Sequence, residues 1–251
     1  MTFVDLLSRK MNNSLVFNFN TDVSETPIPN RLNNPFGLEI PEIGRIAANE
    51  FQKFIELESK NWEYDFSTQR GKMFGVLVVQ KIDGSLGYLG TMSGVFPGGK
   101  TCKRFVPSVF DESKTDYYLT KGMTELTEIG KTIKNSTDPK EITKLTELRK
   151  QKSHDLQQWL FEHYIFTNKY GKAKNVATIF AESEYGNPPA ATGECAAPKL
   201  IQYAFSNNLK PIALAEFWWG IPSKSNKRKH LGVYPACEDK CRGVLGFMLK
   251  N

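Results

Sequence analysis

The ten residues PIALAEFWWG at 211–220 constrain the fold more than any other feature of this sequence. They are almost continuously apolar, with a single carboxylate, Glu216, inside the run. A run of that length closed by glycine reads as a buried, central strand. A strand apolar at successive positions has to be covered on both faces, so helices must lie on each side of its sheet. Glu216 then needs a partner, because a buried carboxylate is costly alone; Lys199 and Arg242 are candidates. A second β-rich run, MFGVLVVQ at 73–80, leads through KIDGS into LGYLGTMSG. Asp-Gly between two such runs predicts a hairpin over 71–94.

Helical periodicity fills much of the remainder. Ile43, Ile46, Ala47, Phe51, Phe54 and Ile55 recur at three-to-four spacing after Pro41, which predicts an amphipathic helix over 41–58. Between 119 and 168, two periodic stretches flank NSTDP, where Asp138 can cap and Pro139 open the second. They predict an inserted antiparallel helical hairpin, either packed on the domain or serving as an interaction arm. NVATIFAES reads as a strand. ECAAPKLIQYAFSNN reads as a helix with Thr192 as its cap, and PACEDKCRGVLGFMLK runs into a last helix. The expected fold is α/β, a mixed sheet flanked by helices. Residues 1–40 form an extended lead-in, and 41–251 form one domain carrying the insertion.

Composition narrows the class. Of the 251 residues, 40% are apolar and 24% charged, which excludes wholesale disorder. No apolar run approaches the roughly 18 residues of a membrane span, and MTFVDLLSRKMNNS lacks a secretory pattern. Four cysteines are too few for a disulfide scaffold. A reduced, cytoplasmic setting without a membrane partner is expected.

Three of those cysteines fall in the last quarter. Cys195 opens one predicted helix; Cys237 and Cys241 lie one turn apart at the start of the next, with the strand between. Helix N-termini favour thiolates, and three thiolates converging there make a plausible zinc site with one open position. Buried inert thiols and a redox pair are the alternatives. His230 is a candidate fourth ligand. His154 and His163 fall in the insertion, and Cys102 stands apart in a glycine-rich loop.

Charge points to a polyanion. From Lys210 to Asn251, eight Lys/Arg stand against three Asp/Glu. Lys224, Lys227, Arg228 and Lys229 sit in one loop beside Trp218 and Trp219, so cations can neutralise phosphates while an aromatic face stacks on a base. A solvated loop is the other reading.

The order helix with cysteine, strand, then YPACEDKC resembles the zinc-dependent nucleoside and nucleobase deaminases, whose signature is H/C-x-E followed by P-C-x-x-C. The resemblance implies zinc held by Cys195, Cys237 and Cys241. It places the family's catalytic glutamate at Ala197, so Glu194 or Glu216 would have to supply the acid/base, with Lys199 in the pocket offsetting the thiolates. The second pair is also one residue longer than the family's. Over most of the chain, GKMFGVLVV, FVPSVFD, GECAAPKLIQYAF, LKPIALAEFWWG and YPACEDKCRGVLGFML resemble the N-terminal extension of RluA-type pseudouridine synthases. That implies an RNA-associated module of RNA modification with a pseudouridine synthase catalytic domain as a partner. The synthase R-L-D motif is not in this chain, where Arg31-Leu32 is followed by Asn33.

Overall fold

The computed structural model describes residues 15–94, 102–110 and 117–250. The fold is α/β. Its centre is a three-stranded sheet in the order β2-β1-β5, where β1 is Lys72–Gln80, β2 is Leu86–Met92 and β5 is Lys210–Trp219. Both pairings are antiparallel. The mixed sheet expected from the sequence is therefore replaced by an antiparallel one, because NVATIFAES does not join it. That segment forms helix α4, Val176–Ala181, capped by Asn175, whose carboxamide oxygen accepts from Thr178 N–H at 2.8 Å. Its apolar Val176, Ile179 and Phe180 have helical spacing, which wins over their β propensity. A two-stranded ribbon of β3, Ile165–Thr167, and β4, Ala173–Asn175, precedes it.

The hairpin forms as expected, with Gly84 at φ +85° in its turn. Strand alternation sends the two faces of the sheet to different layers. Phe74, Val76, Val78 and Phe217 pack under helix α1, Glu42–Glu58, through Ile43, Ala47, Phe51 and Ile55. Leu77, Val79, Leu89 and Leu214 pack under helix α5, Ala196–Ser206, through Ala197, Leu200 and Ala204. Burying each large apolar side chain contributes roughly 1.5–3 kcal/mol, which fixes both layers. Helix α6, Glu238–Leu249, completes the second layer with Cys241, Val244 and Met248.

β5 is at the end of the sheet rather than at its centre. It still reads as buried because the segment after it folds back along its free edge. Phe217 bridges Val233, and Tyr234 N–H donates to the Glu216 carbonyl at 3.0 Å. The other edge is covered by the lead-in, where Phe17 bridges Tyr88 and stacks on its ring. Covered edges of this kind prevent pairing with other chains.

The 119–168 region holds helix α2, Tyr117–Asn135, and helix α3, Pro139–His163. Asp138 caps α3 by accepting from Lys140 N–H at 2.9 Å, with Pro139 in its first turn. The two helices touch where Lys152 pairs with Glu125 at 2.7 Å and where Gly122 meets Leu156. Among the described residues, no helix is long and apolar enough to cross a membrane.

Candidate functional site

Helices α5 and α6 begin at the same end of the sheet, and a cysteine takes the N-cap position of each. Cys195 caps α5 and Cys237 caps α6, both in extended backbone conformation, and neither caps through its side chain. Thr192, expected as the α5 cap, instead donates its hydroxyl to the Pro189 carbonyl at 2.7 Å. The freed amides of α5 are met from the sheet. Ala196 N–H donates to Ser93 Oγ at 3.2 Å and Ala197 N–H to Glu216 Oε1 at 3.3 Å. Pro198 in the same first turn has no N–H to satisfy. The helix comes this close because β1 carries Gly75 beneath it. A Cβ there would lie 3.0 Å from Ala196 Cβ and 3.2 Å from Leu200 Cδ1.

Glu216 lies beneath that helix start at 5% exposure. Burial pushes its carboxyl up to about 7, against the opposing pull of the Ala197 N–H and the Arg228 charge. Cys237 moves the other way. The Cys241 thiol hydrogen bond, and further backbone donors, draw it down to about 6 despite partial burial. Cys241 is raised well above its ordinary value, through its side-chain contacts with Cys195 and Cys237 and through burial. It is thus the protonated donor of the trio and Cys237 the acceptor.

Lys199 is buried at 3% exposure. Its Nζ donates to the Gly94 carbonyl at 3.1 Å and stands 3.6 Å from the Glu194 carboxylate. Burial lowers the lysine, and Glu194 works against that. Glu194 also accepts from Tyr164 Oη and from Ser108 Oγ. Both carboxylates named from the sequence are therefore present, but they differ in kind. Glu194 is an ion-pair member tied to three donors, whereas Glu216 has the displaced proton affinity of a pocket acid. Neither Lys199 nor Arg242 pairs with Glu216; Arg242 binds Glu238 on its own helix.

Cys195, Cys237, Glu194 and Glu216 line a cleft of about 380 Å³. Its other walls include Trp218 and four cations, Arg70, Lys72, Arg228 and Lys240. The Arg228 guanidinium lies 5.8 Å from the Trp218 ring centroid. Of the loop cations named from the sequence, only Arg228 reaches the cleft; Lys224, Lys227 and Lys229 are exposed on the loop. Trp219 points to the opposite face of the sheet, where it borders a different recess with His230. His230 is no fourth ligand to the thiols. Its Nδ1 accepts from Gly220 N–H at 3.0 Å and its ring meets Trp219. His163 stacks on Trp159 within α3, and His154 is exposed beside Asp155. Cys102 packs with the α1-side core, apart from the trio, and burial raises its thiol.

The three thiols are committed to one another through hydrogen bonds, and among the described residues no group of three or more His, Cys, Asp or Glu is arranged to hold a metal ion.

Sequence reasoning missed Arg70, Lys72 and Lys240. Lys240 lies on α6 between Cys237 and Cys241, whereas Arg70 and Lys72, at the start of β1, come to the cleft only because β1 pairs with β5. Comparison with family models, with curated proteins and with solved structures returns no match to this chain.

Proposed function

We propose that this chain is an RNA-associated module of RNA modification whose cleft takes one nucleotide. The observation that carries the reading is the meeting of Arg70, Lys72, Arg228 and Lys240 with Trp218 around a pocket floored by Glu216 and two helix starts. Arg70, Lys72, Arg228 and Lys240 attract a phosphate; Trp218, 5% exposed, backs the Arg228 guanidinium, whose plane can stack on a base; and a neutral carboxyl can donate to a base edge. Phosphate and base, two of the three parts of a nucleotide, thus each have a counterpart in the cleft. The exposed Lys224, Lys227 and Lys229 extend the positive field beyond the cleft, as a strand longer than one nucleotide would use. The N-terminal extensions of RluA-type synthases remain the family this reading looks to, with a synthase catalytic domain as the partner.

Titration of a single-stranded RNA against salt tests it. Affinity should fall on a log–log plot with a slope of about 0.7 per neutralised phosphate. Arg228→Ala should lower that slope by about 0.7 as one contact is lost. A response flat in ionic strength, or no binding at low salt, overturns the reading.

A second reading, a deaminase-like hydrolase with a displaced acid/base, is favoured by one observation. The pocket acid Glu216 reaches the backbone of Ala197, the position at which the resembled family carries its glutamate. The order of α1, hairpin, α5, β5 and α6 supports that likeness, with α2 and α3 as an inserted helical hairpin. Zinc binding would displace the thiol protons, including the one Cys241 shares with its neighbours. One zinc per chain, lost in Cys195→Ser and in Cys237→Ser, together with ammonia release from a nucleoside, supports this reading; metal-free protein that releases no ammonia rejects it.

A further inference from the structure

On the α1 side of β5 lies a second recess of about 690 Å³, walled by Trp62, Tyr64, Phe66, Trp219 and His230. Its aromatic faces are held in place. Trp62 and Tyr64 both pack edge-on against buried Phe66, with ring centroids 5.9 and 4.8 Å away. The Tyr64 hydroxyl donates to the Arg70 carbonyl at 2.8 Å and accepts from Arg70 N–H at 2.9 Å. Asp65, the acid of the recess, is occupied by Ser67 and Thr68.

This recess and the cysteine cleft are back to back. Gly71 lines the cleft; Gly220 and Ile221 line the recess. A Cβ on Gly220 would lie 3.0 Å from Gly71 Cα, and one on Gly71 would lie 2.3 Å from the Ile221 carbonyl. The partition is therefore thin, made of the Gly71 and Gly220–Ile221 backbones with the Trp218 indole and Phe66 packed into it. Three pairs of near neighbours divide between the two sites: Trp218 and Trp219, Arg228 and His230, Arg70 and Tyr64. The loop that bridges them, 223–230, carries four cations and no acid.

We propose that the recess is a stacking subsite for the base next to the nucleotide held in the cleft, so that the chain grips single-stranded RNA across the Gly71–Gly220 partition with the 223–230 loop on the intervening phosphates. Paired aromatic walls beside a cationic loop are the recurrent means of holding unpaired bases without reading their sequence. The proposal rests on the nucleotide reading of the cleft and adds its neighbour.

The experiment compares two probes on the full chain by fluorescence anisotropy and competition: an eight-residue single-stranded RNA and the four nucleoside 5′-monophosphates. Trp219→Ala should weaken the RNA by about 5- to 150-fold and leave the monophosphates unchanged, because one stacked base is lost. Trp219→Phe should restore most of the loss. A scan of single abasic positions through the RNA, which alters no protein residue, should show two adjacent sensitive positions, one for the base in the cleft and one for its neighbour in the recess. RNA binding insensitive to Trp219→Ala with a single sensitive abasic position overturns the subsite while leaving the cleft reading intact. Failure of RNA and monophosphates alike to bind the unaltered chain overturns both.

Discussion

The carboxylate of Glu216, on β5, accepts a hydrogen bond at 3.3 Å from the backbone N–H of Ala197, in the first turn of α5. A strand side chain thereby satisfies an amide that a helix cannot, while the helix start places a partial positive charge at a buried acid. The pairing joins the sheet to the helix N-terminus that carries Cys195. It also sets the chemistry of the cleft, since the same carboxyl is held near 7 by burial.

Stability should record that displaced acid. An ordinary glutamate titrates at 4.5 and Glu216 at about 7, so between those values the folded chain holds a proton the unfolded chain has lost. The contribution of the neutral carboxyl is fully present below 4.5 and is lost as pH rises through 7. Above 7 the buried charge costs about 3 kcal/mol. Glu216→Gln should therefore match the parent in urea denaturation at pH 5 and exceed it at pH 8 by up to about 3 kcal/mol. A variant less stable than the parent at pH 8 would mean the carboxylate is held ionised.

Cys237 should alkylate as a thiolate under mildly acidic conditions. With its thiol drawn down to about 6, the rate of iodoacetamide labelling at Cys237, followed by peptide mass spectrometry, should reach half its plateau near pH 6. Cys241→Ala removes the leading cause, the neighbouring thiol donor, and should move that midpoint upward. A parent midpoint above pH 8 would refute the hydrogen-bonded trio.

Lys199 should be needed for folding rather than for affinity. Its Nζ serves Gly94 and Glu194 from a site 3% exposed. Lys199→Met leaves the Gly94 carbonyl and the Glu194 carboxylate short of a donor, a loss of about 3–5 kcal/mol for a broken buried pair. Adding Glu194→Gln should recover part of it in thermal denaturation. If Lys199→Met is neutral, the pair contributes nothing.

The wall between the two recesses has no room for a side chain. Gly71→Ala would set a Cβ 2.5 Å from Trp218 Nε1, whose N–H donates to Ile221 O at 2.7 Å. A cost of about 1–3 kcal/mol is expected, with weaker binding of RNA and of monophosphates together. Unchanged stability and binding would show that the partition yields.

Periodicity and turn chemistry in the sequence determined the helix under Ile43–Ile55, the Asp83-Gly84 hairpin, the Asp138 cap and the placement of Cys195 and Cys237 at helix starts. These are local matters, decided by residues within a few positions of one another. NVATIFAES was misleading because its apolar spacing suits both a short helix and a strand, and only packing against α3 and α6 settles it. The same holds for β5. Its apolar run is that of a central strand, yet the covering partner on one edge is the irregular segment 231–234. Lys240 is beside the thiols by sequence, but tertiary structure alone brought Arg70 and Lys72 to them, turned Arg228 but not its neighbours into the cleft, and sent Trp219 to a recess of its own. Those placements depend on the β1–β5 register and on two glycines that let backbones touch, contacts between residues some 150 positions apart that no local pattern encodes.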